Sequence, residues 1–183
     1  MKPIDELAGL FSSEGARAYF GEAVSQAQHM CQAGALAEAA GAPDSLVAAA
    51  LLHDIGHLRG QLTGADLMRG VDNRHEKTGA RVLERWFASS VSEPVRLHVA
   101  AKRYLCHAEP GYTAKLSEAS VYTLSVQGGP MTAKEANAFL GEAFWADAVA
   151  VRRWDELAKD PEAATPSFEH FVALLEGLVD SAP

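Results

Sequence analysis

The sequence predicts an all-α protein, and three observations carry that expectation. Ala, Leu and Glu recur at helical spacing almost throughout. Runs of alternating β-branched residues, the mark of half-buried strands, are missing. Stop signals such as Gly41 with Pro43, or Gly128-Gly129-Pro130, punctuate the chain, and each is followed by a residue suited to open a new helix. At 183 residues the chain is long enough for one substantial core, so a single domain over 1–183 is expected.

The elements follow in order. Glu22 to Ala40 reads as a helix stopped by Gly41 and Pro43, with Asp44 placed to cap the next. That next helix runs from Ser45 to Leu58 and contains "LLHDIGHL". The polar, Gly-containing stretch from Arg59 to Asp72 reads as a loop with a short helical turn at "GADLMRG", long enough for a lid or substrate-selecting loop. A helix from Asn73 to Phe87 follows, and Ser92 caps one beginning "EPVRLHVAAKRYL", with proline near its first turn. Thr113 to Val126 is another, ended by Gly128-Gly129-Pro130. Thr132 with Glu135 makes a capping box for a long helical region reaching Lys159, and Ser167 opens the last helix, "SFEHFVALLEGLVD".

Composition excludes several classes of function. The net charge of -8 argues against a nucleic-acid partner but leaves room for a small anionic substrate in a locally positive pocket. No segment is apolar enough for a membrane span, and Asp5 and Glu6 stand where a signal peptide needs a basic and then an apolar run, so a cytoplasmic location is expected. Cys31 and Cys106 have no metal-binding spacing and read as packing thiols.

The chemistry concentrates at His53-Asp54. Neighbours on a helix point about 100° apart, so the two can flank one ion, and the two oxygens of Asp54 can bridge two cations. Imidazole with carboxylate suits Fe, Mn, Zn or Co. His29, His75, His98 and Asp155 lie in other helical segments, and a bundle can aim such residues at one interior point. Lys102 falls one turn after His98, His57 one turn after His53, and Ser120, Thr123 and Gln127 form a polar stripe at helical spacing. Tyr19 and Glu22 have the spacing of a shared helical face, while His107 and His170 read as surface or packing residues.

The order His29, His53-Asp54, Asp155 resembles the H…HD…D signature of the HD-domain superfamily, with His75 and His98 as the extra ligands of its two-metal members. "AYFGEAVSQAQH", "HVAAKRYL", "LSEAS" followed by "QGGPM", and "RRWDE" resemble the phosphonate-cleaving HD-domain oxygenases. The resemblance implies a helical bundle around a central two-metal site, two Fe ions in a mixed-valence Fe(II)/Fe(III) pair, and O₂ as cosubstrate. It implies one iron held by His29, His53, Asp54 and Asp155, and a second held by Asp54, His75 and His98. Tyr19 matches a tyrosine that occupies an iron site before substrate arrives, and Glu22 a glutamate facing the substrate's ammonium end. Lys102, His57, Ser120, Gln127 and Arg152 match the phosphonate pocket, and Thr123 lies on the same stripe. Tyr19, Glu22, His57 and Lys102 are the expected catalytic groups.

Asp72 and Asn73 can lower the potential beside a quaternary cation, which favours (R)-1-hydroxy-2-(trimethylammonio)ethylphosphonate, cleaved to glycine betaine and phosphate. The alternatives are the same reaction on 2-amino-1-hydroxyethylphosphonate, a metal-dependent phosphohydrolase, an inositol-oxygenase-like enzyme and an inert binding module.

Overall fold

A computed structural model describes residues 2–17, 22–59 and 74–179, and every regular element among them is helical. α1 (Pro3–Phe11) opens with proline in its first turn and Asp5 and Glu6 against the positive helix end. The sequence reading missed it because those two acids were taken only as an argument against a signal peptide. α2 (Gln26–Ala39) begins four residues later than expected. Ser25 captures the Gln28 amide at 3.1 Å, and the Gln28 side chain returns the bond to the Ser25 amide at 2.9 Å. Glu22 therefore lies outside the helix, and the shared helical face expected for Tyr19 and Glu22 is corrected; Tyr19 itself lies outside the described residues.

The helix expected over Ser45 to Leu58 divides into α3 (Asp44–Leu52) and α4 (Ile55–Arg59), with the break at His53-Asp54. Pro43, not Asp44, holds the cap position. α5 (His75–Leu83) follows Arg74, whose φ of 46° is left-handed. α6 (Ser89–Ala108) starts ahead of Ser92, which is buried within it, and Pro94 lies inside the helix. Thr113–Lys115 makes only a 3₁₀ turn, after which Ser117 caps α7 (Glu118–Val126) through the Ser120 amide. The expected long helix from Thr132 splits at Gly141 into α8 (Ala133–Leu140) and α9 (Trp145–Leu157), with the Thr132–Glu135 capping box in place. A 3₁₀ turn (Phe168–Phe171) leads into α10 (Val172–Val179). The loop expected over 59–72, Asp72 included, falls almost wholly outside the described residues.

α3 organises the bundle. Every residue from Leu46 to Leu52 is buried, as befits a helix apolar on all sides, and α2, α6, α9 and α10 pack around it. No described helix is long and apolar enough to cross a membrane. His107 and His170 are exposed, the latter paired with Glu38 at 2.8 Å.

A close backbone approach joins α4 to α5. A Cβ built on Gly56 would lie 1.9 Å from the carbonyl oxygen of His75, so only glycine lets the two helices meet there. Gly56→Ala is expected to destabilise the protein by about 3 kcal/mol, read as a lower midpoint in chemical denaturation. An unchanged midpoint would contradict this packing.

Candidate active site

Asp54 lies where α3 ends, 5% exposed, with its two oxygens turned in different directions. Oδ2 faces the Nε2 atoms of His53 at 3.6 Å and His29 at 3.7 Å. Oδ1 faces those of His75 at 3.3 Å and His98 at 3.6 Å. Within each pair the Nε2 atoms stand 3.1 Å apart. Asp155, on α9, aims Oδ1 at His29 (3.3 Å) and His53 (3.8 Å).

The tautomers follow from the other ring nitrogens. His29 Nδ1 donates to the Ala158 carbonyl at 2.8 Å, His53 Nδ1 to Ala50 at 2.8 Å and His98 Nδ1 to Val95 at 2.7 Å. Each Nε2 then presents a lone pair. Two lone pairs 3.1 Å apart repel unless a cation lies between them. Ligands about 2.1 Å from an ion and at right angles to each other lie about 3 Å apart, so the donor sets fit two metal ions. His29, His53 and Asp54 form one such set, and Asp54, His75 and His98 the other. Burial raises the Asp54 carboxyl, but the surrounding imidazoles, His53 first and His75 through a hydrogen bond, outweigh it and hold the group well below the usual carboxylate range. For Asp155 burial is likewise outweighed, chiefly by Arg152.

A family model for the HD domain matches residues 27–159, which span both donor sets. The chain belongs to the HD-domain family. It is 41% identical over 177 residues to a [1-hydroxy-2-(trimethylamino)ethyl]phosphonate dioxygenase (glycine-betaine-forming) of Leisingera caerulea, an alignment covering 97% of this chain and 90% of the relative. It is 35% identical over 181 residues to a hydroxymethylphosphonate dioxygenase of Gimesia maris, with the same coverage of 97% and 90%. An uncharacterized protein of Acanthamoeba polyphaga mimivirus is 32% identical over 158 residues, 85% of this chain and 72% of that one.

Beside this HD-domain metal site lies a cluster of buried and half-buried polar side chains. Buried Lys102 donates to the Thr123 hydroxyl at 2.9 Å, and burial together with repulsion from Arg152 pulls its ammonium down to about 7. Arg152, 3% exposed, pairs with Asp155 and Glu156 and donates from Nε to the Tyr112 hydroxyl at 3.2 Å. Although burial opposes its charge, Asp155, Tyr112 and Glu156 raise its pKa further. The His57 ring stacks on His75 with centroids 3.9 Å apart, and burial lowers its pKa to about 3, so it is neutral. Ser120 accepts from Lys159 at 2.9 Å, and Glu22 accepts from the Ser117 hydroxyl at 2.6 Å. Both side-chain amide atoms of Gln127 are buried without a hydrogen-bond partner among the described residues, leaving them available to a water or a ligand.

Among the described residues the structure thus brings His29, His53, Asp54, His75, His98 and Asp155 to one centre. It places Glu22, Ser120, Lys102, Thr123 and Arg152 in adjoining contacts, with Tyr19 and Asp72 outside the described residues. Sequence reasoning missed Gln26, whose amide donates to Asp54 Oδ2 at 3.0 Å. Its position three residues before His29, on the same helical face, is the signal that could have found it. Glu76 was missed too: its buried Oε2 lacks a hydrogen-bond partner and lies 4.0 Å from His75 Nδ1. Tyr112, Ser117, Glu156 and Lys159 were missed too, because the contacts that join them to the site also run between segments distant in sequence: Tyr112 to Arg152, Glu22 to Ser117 and Lys159, and Ser117 to Glu156 and Lys159.

Replacing the bridging carboxylate is expected to damage both donor sets and replacing one histidine only one. Metal analysis should find about two ions per wild-type chain, about one in His98→Ala and well under one in Asp54→Ala. Equal content in the two variants would contradict a bridging role.

Proposed function

We propose that the chain is a dioxygenase that cleaves the C–P bond of (R)-1-hydroxy-2-(trimethylammonio)ethylphosphonate in the cytoplasm, giving glycine betaine and phosphate. The observation that carries this reading is one carboxylate turned to two histidine pairs beside a buried Lys102 and Arg152. That arrangement suits a two-metal centre adjoining an anion site. The relatives' activities and near full-length alignments support it.

The reaction balances without an external reductant. One O₂ and one 1-hydroxyphosphonate contain all the atoms of one carboxylic acid and one phosphate, and the substrate supplies the four electrons. A pair of irons, Fe(II)/Fe(III) in this reading, would be held by His29, His53, Asp54 and Asp155 and by Asp54, His75 and His98, and would supply the redox chemistry with O₂. Ligand types alone also admit other first-row metals.

The chain's own residues bind and orient. Lys102 and Arg152 supply charge to the phosphonate, while Ser120, Thr123, Gln127 and neutral His57 supply hydrogen bonds to its oxygens. Glu22, with Asp72, supplies negative charge for the ammonium end. Holding C1 fixed beside the oxidising centre removes the entropic cost of a productive encounter.

After iron loading, release of phosphate and glycine betaine is expected only with O₂, at one O₂ consumed per phosphate. Release without O₂ would turn the reading to a hydrolase. Electron paramagnetic resonance should show a mixed-valence signal that changes when substrate is added.

Lys102 sets a pH dependence. In the free enzyme its ammonium is charged below about 7 and neutral above, and the phosphonate dianion needs the charged form. kcat/KM is expected to fall as pH rises through about 7. In Lys102→Arg, whose guanidinium stays charged, this fall should be absent. Identical profiles for the two enzymes would show that Lys102 does not titrate against substrate.

A further inference from the structure

Lys159 is the cation that the proposed reaction does not use, and its surroundings are unusual for a lysine. Its side chain is only 11% exposed, and its ammonium reaches Ser120 Oγ at 2.9 Å, Ser117 Oγ at 3.1 Å, Glu22 Oε1 at 3.2 Å and Glu156 Oε1 at 3.3 Å. Its backbone is held on both sides by α2. The Ala158 carbonyl accepts from His29, and Gln32 binds both the amide and the carbonyl of Asp160, at 3.2 and 2.7 Å. The ammonium therefore stands at a position fixed relative to the metal ligands.

Glu22 is the carboxylate assigned to the ammonium end of the substrate, yet here a cation from the chain already lies against it. An ammonium has three N–H donors, and this one faces four acceptor groups. It can give up Glu22 and still bond Ser117, Ser120 and Glu156. Glu22, in the non-helical stretch before the α2 cap, can turn without disturbing a helix, and Ser117 continues to donate to it. A trimethylammonium group has no N–H to donate, so it replaces Lys159 at Glu22 by charge alone. When the substrate has no cation, Lys159 is what keeps Glu22 from facing a phosphonate dianion uncompensated.

We propose that Lys159 is a specificity-determining residue: its ammonium is the counter-ion of Glu22 whenever the substrate brings none, so that the pocket takes 1-hydroxyphosphonates with and without a 2-ammonio group. The proposal rests on the assignment of the site to 1-hydroxyphosphonate cleavage.

The test compares hydroxymethylphosphonate, which has no cation, with the trimethylammonio substrate, using iron-loaded enzyme and O₂-dependent phosphate release. Wild type is expected to cleave both. In Lys159→Met, kcat/KM for hydroxymethylphosphonate should fall at least about tenfold, mainly through KM, while that for the trimethylammonio substrate stays within about threefold of wild type. In the Glu22→Gln background, where no carboxylate is left to compensate, Lys159→Met should cost hydroxymethylphosphonate less than about threefold relative to Glu22→Gln alone. Iron content equal to that of wild type would show that each variant is folded and metal-loaded. Equal losses on the two substrates, an undiminished loss in the Glu22→Gln background, or a wild type that cleaves only the trimethylammonio substrate would overturn the role of Lys159. A wild type that cleaves neither substrate would overturn the underlying assignment, and this proposal with it.

Discussion

The position of one carboxylate, Asp54, constrains most of the structure. Its two oxygens serve two imidazole pairs that come from different parts of the bundle, so α2, α5 and α6 must all converge on the point where α3 ends. Asp155, brought by α9, completes the wall opposite. In a low-dielectric interior so many polar groups are tolerated only when each is paired or bound to an ion. The fold pairs what it can from its own backbone: the carbonyls of Ala50, Val95 and Ala158 each take an imidazole N–H. The facing Nε2 atoms lie against one another and against Asp54 and Asp155, where a metal ion would be bound, and this couples metal binding to stability.

The local break at His53-Asp54 serves the same constraint. A continuous helix over "LLHDIGHL" would keep the two side chains about 100° apart on one cylinder. Ending α3 at Leu52 and restarting at Ile55 lets the turn between them lie at the meeting point of the helices. Gly56 then brings α4 against the first residue of α5, which is His75. A histidine of the second donor set is thereby seated against the strand of chain that carries the first.

Sequence periodicity showed the helical class, and the resemblance to the HD-domain signature implied the donor set, because both are written in residue type and order. The Thr132–Glu135 box was equally legible, being a three-residue interaction. What was not legible is what long-range contact decides. Ser92 has the right type for a cap yet is buried inside a helix, whereas the breaks at Leu116 and Gly141 carry local marks, the Ser117 cap and the glycine itself, among residues of good helix propensity. In the sequence Lys159 only ends the helical region that starts at Thr132, and its partners Glu22, Ser117 and Ser120 arrive from elsewhere in the chain. Glu22 was misplaced onto a helix because Ser25, a stronger cap, interrupts a run of residues with good helix propensity.

Asp155 joins the two halves of the site. One oxygen faces the imidazoles of His29 and His53, and the other binds Arg152, whose guanidinium also binds Glu156 and so reaches the Lys159 and Glu22 cluster. An anion that drew Arg152 away from Asp155 would leave that carboxylate uncompensated beside the metal site, and a metal that drew on Asp155 would free part of Arg152 for an anion. Linkage would make the two effects equal in free energy. The metal half is held by short ring side chains pinned to backbone carbonyls. The other half is built from Lys102, Arg152, Glu156, Lys159 and Glu22, whose long stems suit the recognition of substrate in the proposed reaction.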